Sequence, residues 1–137
     1  MSLGIARRSI EVMNKYCNER TSFGKPINNY GQIQKHIADS YAEFMAGRAY
    51  TYDVARRMDF NQPGQRIDTD GVKLYCSVMA TNIANRAMQC LGGNGYVAEY
   101  NVERLWRDAK LLEIGGGTLE AHQKNMTRDL SKIETLF

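Results

Sequence analysis

A chain of 137 residues that is 43% apolar and 24% charged can bury one core, and its composition excludes a disordered or collagen-like chain. Its net charge of +3 and dispersed lysines and arginines argue against a nucleic-acid binder, whereas an anionic small ligand fits. No stretch is apolar for long enough to span a bilayer. Cys17, Cys76 and Cys90 keep no CxxC spacing and read as reduced core thiols, not as a disulfide frame or a zinc site.

In chain order, Leu3, Ala6, Ile10, Met13 and Cys17 recur at steps of three and four, which predicts a first helix with one buried face. Arg7, Arg8, Glu11, Asn14 and Lys15 take the other side, and no targeting peptide is read ahead of this helix. Gly24, Pro26 and Gly31 mark a connector. A second helix follows, with Ile33, Ile37, Tyr41, Phe44, Met45, Ala49 and Tyr52 as its stripe; it runs to about Met58 and is broken by NQPG at 61–64.

The third helix opens on Asp68 or Asp70 as N-cap, carries Val72, Cys76, Met79, Ile83, Ala87 and Cys90 on one face, and ends where Gly92 suits a left-handed C-cap. A short apolar-faced segment at 102–110 shows Val102, Leu105, Trp106 and Ala109. Three glycines at 115–117 precede a last helix capped by Thr118, with Glu120 in its first turn and Leu119, Met126, Leu130 and Ile133 on its face. Almost nothing alternates with period two, so no sheet is expected. The fold class is all-α, an up-and-down four-helix bundle, as one domain over 1–137.

Three motifs occur in order: RTSFGKPI at 20–27, MQCLGGNGY at 88–96 and RDAKLLEIGGGTLEAH at 107–122. Each is weak by itself. Together, at these spacings, they closely resemble the C-terminal helical domain of the acyl-CoA dehydrogenases, which are FAD flavoproteins. The likeness covers nearly the whole chain and is nearest to the isovaleryl-CoA and short branched-chain members. It also implies that the family's N-terminal helical and middle β domains lie outside this chain.

The resemblance implies roles residue by residue. Arg20 would contact the diphosphate of an FAD held mainly by a neighbouring subunit, with Phe23 packed beside it; guanidinium gives forked donors to phosphate oxygens. Gln89, Cys90, Leu91, Gly92 and Gly93 would lie against the adenine half of that FAD, with Cys90 itself a small core residue. Gln32 would substitute for a glutamine that many relatives place where Gly31 stands. Thr118, Leu119 and Glu120 would turn first-turn amides toward bound FAD. Gly116 and Gly117 would pass beside the flavin ring and the acyl-CoA thioester.

Many relatives carry the catalytic glutamate where this chain has Gly116. The resemblance therefore implies no catalytic base here; in isovaleryl-type relatives the base projects from the helix corresponding to the first one, a few residues before Met1. Glu113 and Glu120 read as surface carboxylates, and His36 and His122 as structural or surface residues, with no metal site. The implied partners are an acyl-CoA substrate, an electron-transfer flavoprotein and further copies of the chain, as a dimer of dimers. The implied compartment is the mitochondrial matrix in eukaryotes and the cytoplasm in bacteria. Other readings of the same residues are a non-catalytic assembly module and an acyl-CoA oxidase.

Overall fold

The computed structural model describes residues 1–59 and 66–134. Helix α1 (Ser2–Glu19) buries Ala6, Ser9, Met13 and Cys17 on one side, while Arg7 and Glu11 pair at 2.8 Å on the other. Helices α2 (Gly31–Arg57) and α3 (Arg66–Leu91) follow. A single-turn α4 (Gly93–Tyr96), α5 (Val102–Ile114) and α6 (Leu119–Leu130) complete the helices.

Helix α3 is the centre of the bundle and touches α1, α2, α5 and α6. Enclosed on several sides, it buries residues beyond the one face expected above, among them Gly71, Ser77, Ala80, Ala84 and Leu91. One core cluster joins Ala6, Met79, Ile83 and Ala109; a second, toward the C-terminal end of α3, joins Met13, Cys17, Ala87, Cys90, Leu91 and Val102. The fully buried Met13 and Ile83 contribute about 1.5–3 kcal/mol each through burial. Arg86 on α3 adds a two-pronged pair with Glu43 on α2, both bonds 2.7 Å.

The all-α bundle, the helix periods and Thr118 as the cap of α6 are found as expected; Gly92 has the expected positive φ of 58° but a ψ of −135°, so it is not a left-handed helical cap. Several expectations need correction. Strands do form, as two residues each: β1 (Thr21–Ser22) pairs antiparallel with β2 (Lys25–Pro26), a hairpin too short for any alternation to register. Asp68 and Asp70 are not N-caps, because α3 starts at Arg66 and leaves Asp70 buried inside the helix. Helix α6 ends at Leu130, so Ile133 lies beyond it and is exposed. The NQPG break falls outside the described residues.

The largest departure is α2. It packs closely on α3 at Gly47, where a Cβ would sit 3.0 Å from the Met79 Cε. Ile33, Ile37 and Phe44 are half-buried, whereas Tyr41, Met45 and Tyr52 stand at 58%, 40% and 51% exposure. Only a narrow strip of α2 meets α3, and the rest of its apolar face points outward.

Candidate functional site

The candidate residues fall into two groups at opposite ends of α3. At its C-terminal end stands the hairpin after α1. Phe23 and Gly24 form its tip with φ of 48° and 81°, the left-handed pair that a tight two-residue hairpin demands. Glycine takes such angles freely; phenylalanine does so at a cost of roughly 1–3 kcal/mol. Phe23 lies 96% exposed, so nothing among the described residues repays that strain. The hairpin is held at its base by the Ile27 amide on the Arg20 carbonyl at 2.9 Å and by the Tyr30 hydroxyl donating to the Ser22 carbonyl at 2.8 Å. The Arg20 side chain is exposed, borders a polar cleft of ≈ 440 Å³ with Tyr16, Asn94 and Tyr100, and has no side-chain partner among the described residues.

Next to the hairpin base, the second core cluster ties α1 to the end of α3. Gln89, Gly92 and Gly93 are exposed there, while Cys90 and Leu91 point into the core at 5% and 2% exposure, so only their backbone can face a ligand. No atom lies within 4 Å of where a Cβ on Gly92 or Gly93 would sit. Gly95 is different: its Cβ would meet the Met88 carbonyl oxygen at 2.6 Å, so this glycine serves helix packing. Gln32 is exposed in the first turn of α2, with its amide 3.5 Å from the His36 Nε2.

The neighbouring Cys17 thiol, and then burial, push the Cys90 thiol far above its ordinary value. Burial likewise raises Cys76. The Cys90 thiol holds Cys17 below its ordinary value, but all three cysteines are buried away from any reagent. Cys17, Cys76 and Cys90 are accordingly expected to stay silent toward a thiol reagent such as dithiobis-nitrobenzoate in buffer and to react together on unfolding; prompt labelling of the native chain would contradict this packing.

The other group lies near the start of α3. After α5, Gly116 and Gly117 take φ of 68° and 92°, so the first reason for these glycines is backbone conformation. Above Gly116 the space is open: the atom nearest a Cβ there is the Lys73 Nζ at 4.0 Å. At Gly117 a Cβ would come within 2.7 Å of the His122 Nε2. Thr118 caps α6 by accepting from the Ala121 amide at 3.3 Å. The Glu120 carboxyl is held below its ordinary value by its own backbone N–H and by the Thr118 hydroxyl. Leu119 is half-buried. From Lys73 to Gln89 is sixteen residues of α3, so the two groups are roughly 24 Å apart.

Glu113 is not a surface carboxylate, since its side chain is 11% exposed and bonded to the Lys110 Nζ at 2.6 Å. Burial would raise it, but the Lys110 and Thr81 contacts outweigh burial and leave it lowered. Sequence reasoning missed Lys73, whose Nζ donates to the Leu112 and Gly115 carbonyls, and Asp70, paired with His122. Polar residues set between apolar ones on α3 were the available signal, but their partners lie 39 to 52 positions away. Among the described residues no group of three or more His, Cys, Asp or Glu is placed to hold a metal, and no helix is long and apolar enough to cross a membrane.

Residues 1–131 match the family model described as the acyl-CoA dehydrogenase C-terminal domain. The mitochondrial isovaleryl-CoA dehydrogenase of Oryza sativa is 42% identical over 132 residues, which is 96% of this chain and 32% of that protein. The solved butyryl-CoA dehydrogenase of Megasphaera elsdenii superposes with a TM-score of 0.90 at 31% identity, over 96% of this chain and 34% of that one. A glutaryl-coenzyme A dehydrogenase in complex with glutaryl-CoA gives 0.88 at 32% identity, over 95% and 33%. The chain therefore spans about a third of the length of the relatives it matches.

Proposed function

Because the chain belongs to the acyl-CoA dehydrogenase family, as its C-terminal domain, we propose that it completes the flavin sites of an oligomeric FAD enzyme that removes hydrogen across the α,β bond of a short or branched acyl-CoA. The observation that carries this reading is the hairpin tip: an aromatic residue almost fully exposed on a left-handed backbone, beside an arginine with no side-chain partner among the described residues. Such strain is retained where a ligand or partner makes use of it.

The residues fit FAD in two places. At the hairpin end, Arg20 offers an unengaged fork of donors to a diphosphate, Phe23 covers it, and the uncrowded backbone at Gly92 and Gly93 admits a flat nucleotide. At the glycine loop, Gly116 leaves open floor beside the α6 start. FAD when bound supplies the hydride acceptor. The two groups lie some 24 Å apart and in this reading serve different cofactors, which fits an oligomer; the outward apolar face of α2 with Tyr41, Met45 and Tyr52 is the surface we assign to a second copy. Gly116 has no proton-abstracting group, so the base enters from outside this chain. An electron-transferring flavoprotein is the acceptor in this reading.

The test is a rebuilt enzyme in which this chain replaces the matching third of the rice relative. Anaerobic addition of isovaleryl-CoA is expected to bleach its flavin. Bleaching followed by rapid reoxidation in air would instead mark an acyl-CoA oxidase. A folded, oligomeric product that holds no flavin would favour an assembly module, the reading that the missing carboxylate at Gly116 supports.

A further inference from the structure

The glycine loop is gripped from beneath by charged side chains that this chemistry leaves without a role. Lys73 on α3 gives its ammonium to the Leu112 carbonyl and, at 2.8 Å, to the Gly115 carbonyl. One residue further along, the His122 Nε2 lies 3.2 Å from the Gly116 carbonyl oxygen, and its Nδ1 lies 2.7 Å from the Asp70 Oδ1. Asp70 is 6% exposed, and its Oδ2 finds no partner among the described residues. A carboxylate so deeply buried needs a paired charge, and His122 is what it meets.

Both neighbours of the imidazole only accept hydrogen bonds, one a carboxylate and one a backbone carbonyl. With Asp70 ionised, a ring that satisfies both must donate from both nitrogens, which only the imidazolium does. If the ring loses its proton to solvent and keeps Nδ1–H on Asp70, a bare Nε2 lone pair faces the Gly116 oxygen, and that contact turns from attraction to repulsion. Gly117 is what lets the ring approach, since a Cβ there would reach within 2.7 Å of Nε2.

We propose that His122, seated by Asp70, is the positioning residue of the glycine loop, and that its protonation decides whether the Gly116 carbonyl is held against the bundle. The consequence for acyl-CoA and flavin rests on the function proposed above; the clamp itself does not. The other charged or titratable groups around the ring are Lys73 on α3, occupied by the loop carbonyls, and the Tyr50 phenol of α2, packed on Gly71. On α6 the Glu120 carboxylate turns to its own backbone, and on α5 Glu113 is taken by Lys110.

An NMR titration of this chain, which needs no cofactor, tests the clamp. The imidazole nitrogens of His122 are followed together with the Gly116 carbonyl carbon and the Gly117 amide. The backbone signals are expected to move with the same midpoint as the His122 ring, to ignore the His36 ring, and to lose that movement in His122→Phe. Loop signals that stay flat while His122 titrates overturn the proposal, as does an unchanged titration in His122→Phe; should that variant not fold, the wild-type titration decides alone. Failure here leaves the flavin reading intact, and a rebuilt enzyme without flavin leaves the clamp intact.

Discussion

Gly95→Ala is expected to be the most destabilising single-methyl change in the described chain. The added Cβ would lie 2.6 Å from the Met88 carbonyl oxygen, 2.9 Å from its Cα and 3.1 Å from its carbonyl carbon. All three are backbone atoms of α3, so no side chain can rotate aside and α4 must lift off the end of α3. With it go the Asn94 amide bond to the Tyr16 hydroxyl at 2.8 Å and the edge-on contact of the Tyr16 and Tyr100 rings at 5.7 Å. Overpacking against an unyielding wall costs about 3 kcal/mol, which in a domain of this size lowers the thermal midpoint by roughly 10 °C. Gly93→Ala, two residues earlier and free of neighbours within 4 Å, is expected to change stability by about 0.5 kcal/mol or less. A melting experiment on both variants checks the pair; equal midpoints would contradict backbone packing at Gly95.

Arg20→Ala is expected to leave folding alone and damage cofactor binding. Its side chain meets no partner among the described residues and lies exposed at the end of α1, so the melting curve of the chain should not move. In the rebuilt enzyme the same change removes charge-assisted bonds to a diphosphate, each set contributing about 1.5–3 kcal/mol. The FAD dissociation constant should therefore rise by about 10- to 100-fold. Arg20→Lys keeps the charge but not the fork and should fall between the two. Flavin release measured by fluorescence distinguishes them. Identical FAD affinity in all three proteins would remove Arg20 from the site.

These two cases also show what the chain discloses before it folds. Helices α1 and α3, the positive φ of Gly92 and the Thr118 cap are local features: apolar spacing, a glycine after the last apolar residue and a hydroxyl one step before an amphipathic run are written in neighbouring residues. The α2 stripe was legible as an apolar face, yet periodicity cannot say what covers it, and Tyr41, Met45 and Tyr52 turned out to face away from α3. The hairpin at 21–26 pairs two residues on each side, too few for alternation to appear. For the glycine loop, composition pointed to a special backbone. The cause divides three ways: left-handed φ at 116 and 117, open space at 116, and room for His122 at 117. An aspartate near a helix start is usually a cap, but the partner of Asp70, His122, is 52 residues distant, beyond the reach of any local pattern. The motif residues at 20–27 and 88–96 do come together at one end of α3 through the second core cluster, whereas those at 116–120 sit at the other.

The visible absorption spectrum of the rebuilt enzyme, taken after purification without added cofactor, bears most directly on whether this bundle closes flavin sites. Flavin bands corresponding to about one FAD per chain, weakened in Arg20→Ala, are the predicted result. A well-folded oligomer that is colourless, and stays so when FAD is supplied, would contradict the assignment of both ends of α3.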